Sequence, residues 1–269
     1  MALAKQAVSA PRGDRYPLRL LATLASFVLF GLGGLCLRLF VFPLLNRLPQ
    51  GSSAQCHRAR RTINSLFRSF IRFMASSGVL TFDVQGQERL GRPGQMVIAN
   101  HPSLLDVVFL ISLIREANCV VKQSLWRNPF TRGPVRSAQY ISNDGSLDML
   151  DTAVAALQAG QTLIVFPEGT RTTPGQAPVL HRGAAAIALR GARVITPVTI
   201  KVSPTTLTKA EPWYRIPHRR VRFSFQVGAD IDPEAFNSLG PAPRASRLLN
   251  EHLHQYFMKE LHLDERTTP

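Results

Sequence analysis

The sequence predicts an α/β domain, a mostly parallel sheet flanked by helices, behind an N-terminal helical membrane anchor. Three observations lead there. After Gly78, short apolar runs alternate with helical patterns, as parallel strands joined by crossover helices do. Before it, residues 20–37 carry no charge. That N-terminal part is also basic: residues 1–78 hold eleven Lys or Arg and one Asp, so +10 of the chain's +15 lies there. The expected division is a basic anchoring segment, 1–78, and a globular domain, 79–269.

The uncharged run would span roughly 27 Å as a helix, close to the thickness of a bilayer core. Arg38 interrupts it, and apolar residues resume as far as Leu45. Basic residues flank both sides: Lys5, Arg12, Arg15 and Arg19 before; Arg38, Arg47, Arg58, Arg60 and Arg61 after. The positive-inside rule therefore assigns no orientation. A single span and a re-entrant hairpin bent at Gly31, Gly33 or Gly34 both fit. A secretory signal fits poorly, because the run is long, Arg38 follows and no A-x-A site adjoins it.

Ile63, Leu66, Phe67, Phe70, Ile71 and Met74 recur at spacings of three and four, with Arg61, Arg68 and Arg72 off the stripe. Such a helix faces either a core or anionic lipid, and the preceding apolar segment favours lipid. Residues 20–74 are thus expected at the cytoplasmic face of the inner membrane. Cys36, Cys56 and Cys119 form no C-x-x-C pair, so neither a disulfide framework nor a zinc site is expected. No nucleic-acid-binding signature accompanies the positive charge, so nucleic acid is not an expected partner.

In the domain, strands are expected at 79–84, 96–99, 119–122, 140–142, 162–166, 194–200 and 221–227, and helices at 104–115, 147–158, 184–190 and 245–261. Ser146 and Gly160 should cap the second helix. A Pro-rich loop, 201–220, carries Trp213 and Tyr214.

Two segments carry chemistry, each placed just after a strand, where ligands collect in open α/β sheets. The first is Asn100-His101-Pro102-Ser103-Leu104-Leu105-Asp106. Ser103 and Asp106 have capping-box spacing, which explains them but not His101. An imidazole with a carboxylate one helical turn on can act as a general base held in one tautomer. The second is Phe166-Pro167-Glu168-Gly169-Thr170-Arg171-Thr172. Its residues suit an ordinary polar turn. They also suit anion binding, with Arg171 as a planar fork, Gly169 allowing close backbone approach, and Glu168 orienting Arg171 or accepting a substrate hydroxyl.

HPSLLD resembles the His-x4-Asp motif of the glycerolipid acyltransferases, and FPEGTR resembles their second hallmark, 67 residues on and in the same order. Lys122 with Trp126 and Pro129, His181-Arg182-Gly183-Ala184, and Ile195-Thr196-Pro197-Val198 extend the likeness over 79–202. The resemblance to the lysophosphatidate acyltransferase family implies that His101 is the general base and Asp106 its orienter. It implies that Glu168, Gly169, Thr170 and Arg171, with Lys122, bind the acceptor lipid. It also implies an acyl carrier protein or acyl-CoA thioester as co-substrate, with no metal or other cofactor. Backbone donors near Ser103 are expected to hold the oxyanion. One departure stands out: Asn143-Asp144 replaces the family's Asp-Arg, placing an acid where a phosphate-binding cation is usual. That leaves a different lyso-lipid or long-chain alcohol as an alternative acceptor. A non-catalytic membrane-surface protein is the remote alternative.

Overall fold

A computed structural model describes residues 16–46, 52–174, 176–209 and 211–262. Lys5, Arg12, Arg15 and Arg47, part of the basic flanks, lie outside these residues.

Seven strands form one sheet: β1 (Leu80–Gln85), β2 (Gln95–Ala99), β3 (Asn118–Lys122), β4 (Ile141–Asn143), β5 (Leu163–Val165), β6 (Val194–Ser203) and β7 (Val221–Val227). Their order is β1-β7-β6-β2-β5-β3-β4, and every neighbouring pair is parallel except β6 with β7. The central strands read as unbroken apolar runs because helices cover both of their faces. Every residue of β2 is buried. In β7 only Val221, Phe223, Phe225 and Val227 are buried, and Arg222 and Gln226 are exposed, the alternation of a half-covered strand.

The helices include α1 (Tyr16–Cys36), α2 (Phe42–Asn46), α3 (Ser52–Ser76), α4 (Asp106–Leu113), α5 (Arg132–Ser137), α6 (Leu147–Gln158), α7 (Arg182–Gly191), α8 (Glu234–Asn237) and α9 (Ala242–His262). Residues of α3 and α4 share one core with one face of the sheet, and residues of α6, α7 and α9 share a second core with the other. The Ser146 hydroxyl accepts from Met149 N–H at the start of α6, as its sequence suggests. Phe109 of α4 lies between Phe223 and Phe225, with ring centroids 4.9 and 4.8 Å away. Emptying such a site costs about 3–5 kcal/mol, a large part of a domain's net stability. This cluster therefore fixes α4, and with it the loop at its N-terminus.

Among the described residues one apolar helical stretch, Tyr16–Leu45, is long enough to cross a membrane. It does not bend at its glycines: α1 runs through Gly31, Gly33 and Gly34. The irregularity comes later, as a π turn at Leu37–Val41 where Phe42 N–H reaches back to Leu37 O. Pro43 has no N–H for the next α bond, and the widened turn absorbs that loss.

One face of α1 is strapped to the domain along its length. Tyr16 stacks on His218, and Arg19 donates to the carbonyls of Pro217 (2.7 Å) and His218 (2.9 Å). Phe27 meets Trp213, and Phe30 meets Phe67 and Phe70 of α3. Gly34 admits the Phe130 carbonyl, and Arg38 donates to Pro129 O at 3.0 Å. The opposite face exposes Leu21, Val28 and Leu32, and the π turn and α2 that follow expose Phe40 and Leu44.

The amphipathic stripe of α3 divides between two surroundings. Ile63, Ile71 and Met74 are buried in the core together with Arg60 and Asn64. Leu66 and Phe73 stay exposed. The helix that precedes residue 79 thus supplies core to the sheet domain as well as an apolar outer edge.

Candidate active site

Strand pairing brings the two motifs together. β2 and β5 are parallel neighbours, so the segments after Ala99 and Val165 emerge side by side. The Asn100 amide ties the end of β2 to β6, donating to Ile200 O (2.8 Å) and accepting from Ile200 N–H (2.7 Å).

His101 Nδ1 lies 2.9 Å from Asp106 Oδ2, and the same oxygen accepts from Ser103 N–H at 2.7 Å. Asp106 is completely buried, and the His101 side chain keeps 17 % of its surface exposed. Burial pushes the Asp106 carboxyl above the usual range, against the pull of His101, Ser103 N–H and Arg171. With Nδ1 on Asp106, the second ring nitrogen is left for chemistry. The His101 ring stacks on Phe166, centroids 4.2 Å apart, which fixes its plane. The helix expected from residue 104 starts at Asp106. The carboxylate half of the expected capping box is present, and the carboxylate that closes it also holds the histidine.

The second motif clasps His101 at both of its peptide groups. Glu168 Oε1 accepts from His101 N–H (2.9 Å) and from the Thr172 hydroxyl (2.8 Å), and Thr172 N–H donates to His101 O (2.7 Å). Glu168 is buried, and its carboxyl is pushed up by that burial, with Thr172 and His101 N–H pulling it down. Glu168 is thus bonded to His101 and Thr172 and has no hydrogen bond to Arg171 among the described residues. Arg171 sends Nη1 to the carbonyls of Leu207 (2.7 Å) and Thr208 (2.9 Å). Leu207 O also accepts from Leu104 N–H, and Leu207 takes a positive φ of 53° to present it. Arg171 therefore staples the loop after β6 over the site.

Four backbone donors at the start of α4 have partners among the described residues. The N–H groups of Ser103, Leu104, Leu105 and Asp106 go to Asp106 Oδ2, Leu207 O, Ser103 Oγ and Ser103 O. These four N–H groups thus have partners within the fold.

Thr170 is half-buried, and its side chain makes no hydrogen bond among the described residues. Lys122 is exposed at the carboxyl end of β3, two strands from β2 and so roughly 10 Å across the sheet. Asp144 is exposed, and its Oδ1 accepts from Ser146 N–H and from the Ser146 hydroxyl, which hold the carboxyl below its usual range. The acid at the departing position is thus held at the start of α6. The clasp through Thr172, the stacking of Phe166 and the loop at Leu207 have no sequence signature of their own, since each depends on which strands become neighbours.

A family model described as Acyltransferase matches residues 81–201. The chain is 24% identical over 178 residues to a 1-acyl-sn-glycerol-3-phosphate acyltransferase of Pseudomonas aeruginosa, covering 64% of this chain and 65% of that protein. It is 30% identical over 162 residues to the protein of that name from Saccharomyces cerevisiae, covering 56% and 52%. The chain thus spans about half to two thirds of these relatives. The crystal structure of a 1-acyl-sn-glycerophosphate acyltransferase from Thermotoga maritima matches with a TM-score of 0.69 at 19% identity, covering 91% of this chain and 97% of that one. At that identity the match bears on the fold.

Proposed function

We propose that this chain passes a fatty acyl group from a thioester to the free hydroxyl of a lysophospholipid, because its residues 81–201 match a family model described as Acyltransferase. The acceptor favoured by the relatives' names is lysophosphatidate, giving phosphatidate. One observation carries the reading: a partly exposed imidazole held at one nitrogen by a fully buried carboxylate. The free nitrogen of His101 takes the hydroxyl proton as the oxygen attacks the thioester carbonyl. The C–S bond then breaks, and the proton passes to the departing thiolate. Asp106 steadies the imidazolium between these steps.

The donor is an acyl carrier protein or acyl-CoA, both anionic. The segment 117–143 holds Lys122, Arg127, Arg132 and Arg136 with no acid, which suits either. The test is acyl transfer by detergent-purified protein, offering lysophosphatidate and other lyso-lipids with each donor. Phosphatidate formation supports the reading. Transfer to none of the acceptors rejects it. Transfer only to another lyso-lipid or a long-chain alcohol favours the second reading, which Asp144 at the departing position motivates.

The clasp on His101 yields a separate expectation. Thr172→Val removes the hydroxyl that holds Glu168 and should lower kcat about ten-fold or more at unchanged acceptor KM, because small displacements of a base are costly. Thr172→Ser should restore it. Equal kcat in the Val variant would show that the clasp does not position the base.

For localisation, the proposed site is the cytoplasmic face of the inner membrane, with α1 lying in the membrane plane. The contacts of α1 and the π turn after it with the domain run from Tyr16 to Arg38, roughly 33 Å of helix, about a whole bilayer core. A spanning α1 would drag the domain into lipid with it. Fluorophores placed at Leu18 and Leu39 on vesicle-bound protein should be quenched equally by shallow lipid-borne quenchers, both from the outer leaflet. Quenching of the two from opposite leaflets would establish a span instead.

A further inference from the structure

We propose that His181 and Asn143, which meet at Gly169, read the acceptor's anionic head group. The inference rests on the acyl-transfer reading above and names what recognises the acceptor within that site.

Gly169 sits in the FPEGTR turn with φ +62°, one residue from the glutamate that holds His101. A Cβ built there would lie 3.5 and 3.7 Å from His181 Cδ2 and Nε2, and 3.9 Å from Asn143 Nδ2. Two polar side chains, one from the start of α7 and one from the end of β4, thus converge on a bare glycine next in sequence to the glutamate that holds His101. Both are exposed, and neither has a hydrogen-bond partner among the described residues. His181 stands at the N-cap position of α7, yet its side chain makes no capping bond. Its backbone does the structural work, through His181 N–H to Pro167 O at 2.8 Å, so the imidazole is free for another task.

The other candidates for an anion are less well placed. Arg171 spends a nitrogen on stapling the loop at Leu207 and Thr208, and Lys122 is two strands from β2. Asp144, the acid that would repel an anion, is engaged with Ser146. An imidazole N–H and an amide N–H₂ beside a glycine that lets a ligand approach the backbone suit a phosphate monoester. Hydrogen bonds to a charged partner are also the strong ones.

The test compares wild type with His181→Ala/Asn143→Ala on lysophosphatidate and on a monoacylglycerol of the same chain. The double variant should raise KM for lysophosphatidate roughly a hundred-fold or more, the scale of losing two charge-assisted hydrogen bonds. It should leave kcat, donor KM and the monoacylglycerol KM near wild type. His181→Lys should keep the lysophosphatidate KM low. An unchanged KM overturns the inference, as does a rise in donor KM instead, which would assign the pair to the thioester's phosphates. Should wild type acylate neither lipid, lysophosphatidate is not its acceptor. Equilibrium binding of the two lipids then decides the inference: equal loss of both, or of neither, in the double variant overturns it.

Discussion

His101→Ala is expected to lower acyl transfer by about 10⁴-fold, the upper range for a positioned general base. The melting temperature should stay near wild type, because the ring is partly exposed and its bond to Asp106 is replaceable by water. The backbone clasp that shapes the loop uses His101 N–H and O, which alanine retains. Lipid binding should persist, since neither the exposed face of α1 nor the Gly169 turn involves the imidazole. Initial rates at saturating acceptor and donor, with vesicle sedimentation in parallel, separate the two. A variant keeping a tenth of wild-type turnover would remove His101 from the reaction. Parallel loss of binding, melting temperature and activity would make it a structural residue.

Asp106→Asn is expected to lower kcat by about 10³-fold without lowering the melting temperature at neutral pH. The geometry explains both halves. One carboxylate oxygen accepts from His101 Nδ1 and from Ser103 N–H, and the other, Oδ1, has no partner among the described residues. An amide carbonyl can keep both bonds and so preserve the tautomer, while its NH₂ takes a position already without a partner. What is lost is the negative charge that steadies the imidazolium, so the fall should be somewhat less than where the tautomer is lost as well. The stability sign follows from burial. The folded carboxyl titrates above its unfolded value, so ionising it costs folding free energy as pH rises through that interval, and the cost persists above it. Asparagine removes this cost at pH 7. Any gain in melting temperature should shrink as pH falls through that interval and vanish by about pH 3, where the acid is protonated in both states. Thermal melts at pH 7 and about pH 3, beside turnover, check it; a variant that is both active and less stable would contradict both halves.

Much of this was legible before the structure. The strands showed as short apolar runs because the central ones are covered on both faces, and α6 showed through Ser146 and Gly160 at its ends. His101 and Asp106 are five residues apart, so a strand end and one helical turn bring them together without tertiary information. The role of Glu168 was not legible in the same way. Its partner is 67 residues away across a β2–β5 pairing, whereas sequence spacing alone points to the nearer Arg171. The glycines of α1 misled because a glycine can mark a bend or a close approach. Gly34 marks the approach of Phe130, and the proline at 43 disturbs the helix instead.

The loop after β6 is held at both ends by different parts of the molecule: Arg171 and Leu104 grip it at Leu207 and Thr208, while Arg19 and Phe27 grip it at residues 213–218. This bears on how a water-soluble version should be engineered. Cutting the chain at residue 78 would strip away lipid-facing surface, but also the core stripe of α3 and one of the two hands on that loop. Repainting only the outward positions, such as Leu21, Leu32 and Phe40, with polar residues would leave every one of those contacts in place. Solubility and catalytic geometry are then separable by choosing a face of the helix, not by choosing an end of the chain.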